Sequence, residues 1–448
     1  MPTQAVELPV PPAVLLARCA DEPYVFALDG GNIDSWGEGV ARFGFGPRAV
    51  LRVAADGSAC VLEGKQRQIW QGHPFALLDR FRTAYGSGVA ACSGIVAALS
   101  YDLRCFVERL APRPLDPPIL LHAAAYDWLL TYSYGDGAYR LSSATRSAAD
   151  LRAVAAHLAA CAARRESYPK TPALPIRAQW SRTEYETAVR RALEYIAAGD
   201  IYQVNLAQRF VANGNVNAPH LFCDMRRSNP VPYAAYVDAG DCKLVSNSPE
   251  CLFTLRGSRL STFPIKGTRP RGSDPSRDAE LIANLQCDEK ERAEHIMIVD
   301  LERNDLGRVC TTGSVRVDEL AKVRTFPGLH HMVSTVRGEL KRDMHLADIL
   351  LALFPGGSIT GAPKIRAMEI IDELEPVSRG FYTGSIGFLS SSGEVTFNIA
   401  IRTAVVTGER VEYHAGGGIV ADSQPENEYA ETILKAQPFF AALQARPT

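Results

Sequence analysis

The pattern of apolar and polar positions divides the chain into a β-rich first part and a mixed second part. Short apolar runs followed by turn residues, such as residues 24–28, predict strands through the first 145 or so residues. Three prolines within residues 168–175 are typical of a linker. We therefore predict an N-terminal β-rich region at 1–165, a Pro-rich linker at 166–178 and a second region at 179–448.

The second part mixes helical and strand periodicity. A capping box, Ser-x-x-Glu at 181–184, precedes apolar positions that predict a helix over 182–198. The segment 200–206 alternates as a strand does, so Gln203 and Asn205 share one face. Solvent exposure of that face is the expectation from this segment alone. Further apolar runs predict strands at 124–134, 233–237, 243–247, 252–255 and 399–403.

Two predicted helices carry carboxylates on one face. They are Glu291 and Glu294 on a helix over 288–301, and Glu428 and Glu431, with Lys435, on a helix over 426–435 that Asp422 and Ser423 precede as a plausible N-cap. Like charges at this spacing repel, so an unpaired surface helix gains nothing from them. Four carboxylates suit a hard cation, and Mg2+ is the default because it accepts a few carboxylates while keeping water or substrate oxygens. Two solvated acidic helix faces are the alternative.

The segment 263–271 contains two prolines and a glycine, which forbid a helix and predict an extended stretch with a bend at Gly267. A lysine in such a segment, here Lys266, is held in place. Glu250 precedes it by sixteen residues, a spacing that permits a carboxyl and an amine in one cleft on neighbouring strands. A solvated surface lysine stiffened by prolines is the alternative.

Two glycine-rich runs suggest close approach of backbone to a ligand. The run 357–364 is not a P-loop, because its lysine follows a proline and no serine or threonine comes after it. It leads into a predicted helix over 363–374, whose first N–H groups favour an anion. The run 415–419 either lines a ligand or forms a tight turn. Arg402, directed away from its apolar neighbours, offers a fork for a carboxylate.

Composition narrows the classes of function. The chain has 448 residues, with 48 basic and 50 acidic side chains and no basic run, so nucleic acid is not an expected partner. Ten cysteines lack any C-x-x-C pair or Cys/His cluster at zinc-ligand spacing, which argues against a disulfide framework and a structural metal. No targeting segment and no apolar stretch of about 18 residues is evident, so we expect a cytoplasmic protein with no membrane partner. Hydrolase and dehydrogenase fingerprints are absent.

Six segments together resemble the chorismate-utilising enzymes. They are PIKGTRPR at 264–271, IVDLERNDLGR at 298–308, HHMVS at 330–334, PGGSITGAPK at 355–364, IRT at 401–403 and AGGGIVADS at 415–423. The resemblance is strong from about residue 180 to 440 and weaker before that. It implies one large α/β (α+β) fold in which two antiparallel β-sheets face each other and helices lie outside.

Within that family the segments are most similar to the first component of aminodeoxychorismate synthases, which aminates chorismate at carbon 4. The resemblance implies that Lys266 attacks carbon 2 and forms a covalent adduct, which ammonia displaces at carbon 4. Glu250 is then the general acid for the departing hydroxyl. The implied ligands of Mg2+ are Glu294 and Glu431, with Glu291 and Glu428 close behind. The implied substrate-binding residues are Thr268, His331, Thr360, Tyr382, Arg402, Gly416, Gly417, Gly418 and Lys435.

Two further residue types bear on this chemistry. An attacking lysine must be neutral, so its pKa has to fall from about 10.4 through burial or through nearby cations, for which Arg269, Arg271 and the metal are candidates. In the related isochorismate and salicylate synthases a lysine activates water where this chain has Gln203. The resemblance therefore disfavours attack by water.

The resemblance also implies a partner. We expect neither a glutaminase nor a lyase domain in this chain, so ammonia would come from a glutamine amidotransferase subunit in a heterodimer. One alternative is the first component of anthranilate synthase, in which alanine is typical at the position of Lys266. The other is a noncatalytic anion-binding subunit of the same fold. The presence of Glu250, Lys266, Arg402 and the four carboxylates argues against it.

Overall fold

The computed structural model describes residues 3–31, 39–86, 92–164, 173–326 and 328–444. Its helices are α1 (Pro12–Arg18), α2 (Pro74–Tyr85), α3 (Arg104–Val107), α4 (Ala148–Ala163), α5 (Arg182–Ala197), α6 (Ala218–Ser228), α7 (Pro275–Cys287), α8 (Glu289–Val309), α9 (Leu346–Leu353), α10 (Lys364–Leu374) and α11 (Pro425–Ala442). Two short 3-10 helices are Tyr101–Leu103 and Gly357–Ile359. In the described parts of the chain, no helix is long and apolar enough to cross a lipid bilayer.

The strands form two large antiparallel sheets. They are β1 (Thr3–Val6), β2 (Phe26–Asp29), β3 (Val40–Gly44), β4 (Ala49–Ala54), β5 (Ala59–Glu63), β6 (Gln66–Trp70), β7 (Gly94–Leu99), β8 (Ile119–Tyr126), β9 (Trp128–Ser133), β10 (Ala138–Ser143), β11 (Ile176–Ala178), β12 (Gln203–Asn213), β13 (Tyr233–Asp238), β14 (Lys243–Ser248), β15 (Cys251–Arg256), β16 (Arg259–Thr262), β17 (Ile265–Pro270), β18 (Arg316–Thr325), β19 (Leu329–Glu339), β20 (Gly361–Ala362), β21 (Ser385–Ser390), β22 (Val395–Asn398), β23 (Thr403–Thr407) and β24 (Arg410–Ile419).

Both sheets combine strands from the beginning and the end of the chain. The first sheet has the order β1-β10-β9-β3-β2-β13-β14-β23-β24-β12-β11, with β20 on β12, and the second has the order β17-β19-β16-β15-β22-β21-β7-β8-β4-β5-β6, with β18 on β19. The pairs β2–β13 and β7–β21 join segments that lie on opposite sides of the predicted linker. Residues 166–172 of that linker lie outside the described residues.

The two sheets pack face to face, with helices on their outer sides. Apolar side chains of the first sheet, including Phe26 and Leu244, meet those of the second, including Val96 and Phe388, in one buried cluster. Helices α1, α4, α6 and α11 cover the outer face of the first sheet, and α2, α8 and α9 cover that of the second. The predicted α+β architecture is therefore confirmed.

Local sequence rules place several elements correctly. Ser181 and Glu184 form the expected capping box at the start of α5, where the backbone N–H of Ser181 donates to the Glu184 carboxylate at 2.8 Å. The bend predicted in segment 263–271 is found at Gly267, whose φ is +71°. That conformation is strained for any residue with a Cβ, which explains the glycine.

Other local predictions are wrong, for identifiable reasons. The runs 124–134 and 399–403 are not single strands, because at each the chain crosses from the second sheet to the first. Residues 415–419 form the end of β24 rather than a turn. A Cβ on Gly416 would lie 2.3 Å from the Leu206 carbonyl oxygen, so glycine permits close strand approach here. The N-cap of α11 is Gln424, because Ser423 accepts a bond from the Val420 N–H instead.

Candidate active site

The Lys266 side chain enters a cleft between the sheets from a bulged strand. The register of β17 against β19 shifts between Lys266 and Thr268, and Gly267 adopts the left-handed conformation that this bulge uses. A methyl group placed on Gly418 of β24 would lie 3.4 Å from Nζ of Lys266 and 2.7 Å from Nε2 of Gln203 on β12. The Lys266 amine, which belongs to the second sheet, therefore lies against β12 and β24 of the first sheet.

Glu250 is a buried carboxylic acid in the same cleft. It directly precedes β15 and is 6% exposed. Its Oε1 accepts a 2.7 Å hydrogen bond from the Ser358 hydroxyl, which the 3-10 helix Gly357–Ile359 positions. Burial raises the pKa of Glu250, although the Ser358 bond and the charge of Lys266 oppose that shift. The acid therefore holds its proton to a higher pH than an exposed glutamate does, as a general acid requires.

Burial shifts the pKa of Lys266 in the opposite direction. Burial lowers it most, and the positive charge of Lys435 lowers it further. The carboxylates of Glu294, Glu250 and Glu431 act against this shift. The predicted nucleophile, the predicted acid and two predicted metal ligands therefore belong to one electrostatic cluster, in which the neutral amine is more accessible than on a surface lysine.

The arginines proposed to depress that pKa are engaged elsewhere. Arg269 pairs with Asp288 at 2.7 Å, and Arg271 pairs with Asp278 at 2.6 Å. Each guanidinium is thereby neutralised by a carboxylate. The expectation that Arg269 and Arg271 lower the pKa of Lys266 is therefore wrong. The cation that lowers it is Lys435 of α11.

The four predicted metal ligands lie on α8 and α11 around the glycine strand. A Cβ on Gly417 would lie 3.2 Å from Oε2 of Glu428, a buried oxygen without a hydrogen-bond partner among the described residues. Glu431 forms a 2.6 Å ion pair with Lys435. Burial raises the pKa of both Glu294 and Glu428, and neighbouring carboxylates add to this. The remaining member of the set, Glu291, forms an ion pair with Arg269 at 3.4 Å.

This donor set fits Mg2+. It offers only oxygens, and it leaves Glu428 Oε2 unpaired. No three of its carboxylates, all of which are described, bring one oxygen each within 4.8 Å of one another. The set would therefore hold Mg2+ through one or two carboxylates directly and through water to the others.

Arg402 and Lys435 place positive charge in the cleft. The guanidinium of Arg402 has no hydrogen-bond or ion-pair partner among the described residues, and its backbone φ is +50°. This conformation is uncommon for a residue with a side chain and marks a constrained position. Lys435 donates to the Gly416 carbonyl at 2.9 Å in addition to its ion pair. Tyr382 is buried and stacks on His414, with ring centroids 5.1 Å apart.

Thr268, His331 and Thr360 carry the remaining predicted contacts. The Thr268 hydroxyl lies 3.0 Å from Nδ1 of His331. Burial and the charge of Arg402 lower the pKa of His331 to about 4, so this imidazole is neutral at pH 7. The hydroxyl of Thr360 donates to the Gly356 carbonyl at 2.9 Å and keeps its lone pairs as acceptors.

Gln203 differs from its sequence expectation. Gln203 and Asn205 share a face, as predicted, but that face is buried rather than exposed, with 0% and 8% exposure. Neither atom of the Gln203 amide has a hydrogen-bond partner within the described ranges. A buried amide without partners costs free energy unless water or a ligand satisfies it, so its position beside Lys266 points to a binding cavity.

Comparison with known proteins identifies the family of this chain. A family model described as chorismate binding enzyme matches residues 26–441. The chain belongs to the chorismate binding enzymes. Among the relatives of this chorismate binding enzyme is aminodeoxychorismate synthase component 1 of Bacillus subtilis, 40% identical over 365 residues, which are 78% of this chain and 77% of that relative.

Relatives of a second kind also match this chorismate binding enzyme. Anthranilate synthase component 1 of Aquifex aeolicus is 46% identical over 268 residues, 60% of this chain and 54% of that relative. The crystal structure of anthranilate synthase component I from Streptococcus pneumoniae superposes with a TM-score of 0.80 at 29% identity, over 91% of this chain and 93% of that one. The comparisons therefore establish the family and leave two reactions to distinguish.

Sequence reasoning missed two residues that organise the site of this chorismate binding enzyme. Ser358 lies within the run 355–364 and bonds to Glu250, which follows only once two segments 108 residues apart are brought together. His414 stacks on Tyr382 from β24. The sequence places His414 directly before the glycine run 415–419, but it does not show that the His414 ring stacks on that of Tyr382.

Gly418→Ala is expected to reduce activity without unfolding the protein. The new Cβ would lie 2.7 Å from the end of the flexible Gln203 side chain, which moves toward Lys266 rather than distorting backbone. We expect kcat/KM to fall at least about tenfold while the melting temperature changes by only about 2–4 °C. Gly135→Ala, in an exposed turn, is the control that leaves both unchanged. A melting temperature that falls with activity would contradict this prediction.

Proposed function

We propose that this chain is the first component of an aminodeoxychorismate synthase, which replaces the 4-hydroxyl of chorismate with an amino group taken from ammonia. The observation that supports this most is the convergence of Lys266, with its lowered pKa, and the buried acid Glu250 in one cleft. A nucleophilic amine and a proton donor are the two groups that such a substitution needs.

The first step forms a bond between Nζ of Lys266 and ring carbon 2. The ring double bonds shift, the carbon 4–oxygen bond breaks, and the Glu250 proton leaves with the hydroxyl as water. Ammonia then attacks carbon 4, the double bonds shift back, and Lys266 departs as a neutral amine. The new ammonium group returns one proton to the Glu250 carboxylate. Chorismate and ammonia thus give 4-amino-4-deoxychorismate and water, with the enzyme restored.

The other residues of the cleft bind and orient. Arg402 would bind the side-chain carboxylate of chorismate, with Tyr382 and Lys435 beside it, and the backbone of β24 would line the ring. Glu294 and Glu431 would hold Mg2+, with Glu291 and Glu428 behind them. When bound, Mg2+ draws negative charge from the ring carboxylate as the hydroxyl leaves. Gln203 offers an amide in place of a base and so gives a water molecule no activation.

The ammonia would come from a glutamine amidotransferase subunit in a heterodimer. The designation of the Bacillus subtilis relative as a component 1 supports a partner protein. The product would serve the formation of 4-aminobenzoate and folate through an enzyme that removes pyruvate.

Product analysis tests the proposal. The purified chain is mixed with chorismate, an ammonium salt and Mg2+, with and without a chelator. We expect a product in which amino replaces hydroxyl and the pyruvyl group is retained, and we expect the chelator to abolish it. Glu294→Gln should require more Mg2+, whereas Glu426→Gln, on the exposed first turn of α11, should not. Fluorescent anthranilate would instead establish the second candidate reaction. That candidate is the anthranilate synthase reaction, for which the Aquifex aeolicus relative is named.

The pH profile of kcat/KM should be bell-shaped, and its two limbs should lie closer together than the ordinary pKa values of a glutamate and a lysine. The reactive form has Glu250 protonated and Lys266 neutral. A second form has Glu250 ionised and Lys266 charged. Both forms hold one proton between the two groups, so their ratio does not change with pH. Activity is therefore lost below the Glu250 pKa and above the Lys266 pKa. Because burial raises the first and lowers the second, both limbs should lie between about 4.3 and 10.4.

The Lys266→Arg variant identifies the alkaline limb. Arginine stays charged, so any residual activity should lack a loss near the Lys266 pKa. A wild-type profile with a limb outside the interval from about 4.3 to 10.4 would contradict the assignment of the two groups.

A further inference from the structure

A second cluster of ligand-type side chains lies outside the cleft, where α1 ends against α4. One ligand atom each of Glu22, His157 and Cys161 lies within 4.8 Å of the others. Nε2 of His157 is 2.7 Å from Oε1 of Glu22 and 3.7 Å from Sγ of Cys161. Cys19 is a close neighbour of Cys161, and burial together with that neighbour raises the pKa of the Cys19 thiol. Carboxylate, imidazole and thiol therefore converge on one point.

The backbone holds these side chains in place independently of any ion. Cys19 caps α1 by donating to the Leu15 carbonyl at 3.0 Å, and the Glu22 N–H donates to the Cys19 carbonyl at 3.0 Å. That turn carries Glu22 toward α4. His157 and Cys161 are four residues apart on α4, so they share one face of the helix.

Two arginines join the ends of the same helices. Arg164 donates to the Arg18 carbonyl at 3.0 Å, and the Arg18 guanidinium donates to the Ala162 carbonyl. The ring of Phe45 packs edge-on against His157, with centroids 5.6 Å apart. The three ligand atoms are therefore presented by fixed elements, which lowers the entropic cost of binding an ion between them.

We propose that Glu22, His157 and Cys161 bind one Zn2+ ion. A thiolate with an imidazole selects zinc over magnesium or calcium, and a carboxylate is an accepted third ligand. The His-x3-Cys spacing of His157 and Cys161 is one that paired zinc ligands use on a helix. The cluster is not evident in the sequence, because 135 residues separate Glu22 from His157 and because one ligand is a glutamate.

The burial of the ligands suits an ion that enters from solvent. Cys161 is fully buried, whereas the side chains of Glu22 and His157 are 20% and 44% exposed. The open side leaves the fourth position to water. Binding removes the proton from the Cys161 thiol and places the proton of the His157 ring on Nδ1. The ion then joins α1 to α4 across the outer face of the first sheet.

Cobalt titration of the full chain tests the site. The protein is stripped with a chelator and reduced, and Co2+ is added as a spectroscopic substitute for Zn2+. We expect one equivalent to give a near-ultraviolet thiolate-to-cobalt band, and one equivalent of Zn2+ to remove it. The cleft between α8 and α11 offers only oxygens, so Co2+ bound there gives no sulfur band. Absence of the band in the wild-type chain would overturn the proposal.

Variants assign the ligands. Cys161→Ser and His157→Ala should weaken Zn2+ binding by more than about 100-fold, because each removes a direct ligand. Cys287→Ser removes an exposed cysteine on α7 and should change nothing. If Cys161→Ser does not fold, His157→Ala carries the test, because that side chain is half exposed.

Two further results would overturn the site. One is a sulfur band that persists in Cys161→Ser. The other is a mass two hydrogens lower in chain purified without reductant, with a Cys19–Cys161 disulfide in the peptide map, because Cys161 is then unavailable as a ligand. Thermal melting gives an independent measure. Zn2+ should raise the melting temperature of the wild-type chain and leave that of His157→Ala unchanged.

Discussion

Replacing Lys266 with alanine is expected to lower kcat/KM for amination by on the order of 10³-fold, because the variant loses a nucleophile held against the ring. The Lys266 amine is held beside Gln203 and Gly418 in the cleft. Ammonia, in contrast, has to diffuse in from solvent. Any residual rate should come from direct attack of ammonia at carbon 4. That rate should therefore rise in proportion to the ammonium concentration.

The adduct itself can be measured. Wild-type enzyme mixed with chorismate in the absence of ammonia should gain the mass of chorismate less one water, and peptide mapping should place the gain on Lys266. Lys266→Arg keeps the positive charge but not the nucleophile, so it should fail as the alanine variant does. Lys322→Ala, an exposed lysine on β18 of the same sheet, is the control. Unchanged turnover in Lys266→Ala would rule out the covalent route.

Replacing Glu250 with glutamine is expected to lower kcat by about 10²–10⁴-fold, because the departing hydroxyl then receives no proton from the enzyme. Glutamine keeps the shape of the side chain and an oxygen for the Ser358 hydroxyl. KM should therefore change little. Formation of the Lys266 adduct should be lost together with turnover, since the carbon 4–oxygen bond breaks in that step.

Glu339→Gln is the matched control for this variant. Glu339 lies on β19 of the same sheet and also accepts a 2.7 Å bond from a serine, Ser258, but it is exposed. Its replacement should leave both kinetic constants unchanged. A Glu250→Gln variant with a raised KM and normal kcat would assign Glu250 to substrate binding instead of proton transfer.

Local rules located the pieces of the site but not their relation. The bend at Gly267 and the carboxylate faces of α8 and α11 follow from residue types and helical spacing alone. The burial of Gln203 does not, because it depends on the second sheet covering β12 from across the cleft. The bond between Ser358 and Glu250 likewise depends on segments that meet only in the folded chain.

Electrostatic expectations were limited in the same way. Arg269 and Arg271 follow Lys266 by three and five residues in sequence, and this proximity made them candidates to depress its pKa. In the fold the two arginines form ion pairs with carboxylates of α7 and of the N-cap of α8. Lys435, 169 residues from Lys266, acts in their place. Charge proximity along the chain is a poor guide where two sheets bring distant segments together.

The interleaving of early and late strands also governs how the protein is made. β2 cannot pair with β13, nor β7 with β21, until long stretches of later sequence have left the ribosome. Such non-local pairings are slow to form, and they leave unpaired strand edges exposed during synthesis. The glycines of β24 and the carboxylates of α11 come later in the chain than Glu250 and Lys266. The nascent chain therefore lacks a complete cleft until α11 has been synthesised, and chaperones can act on it during that interval.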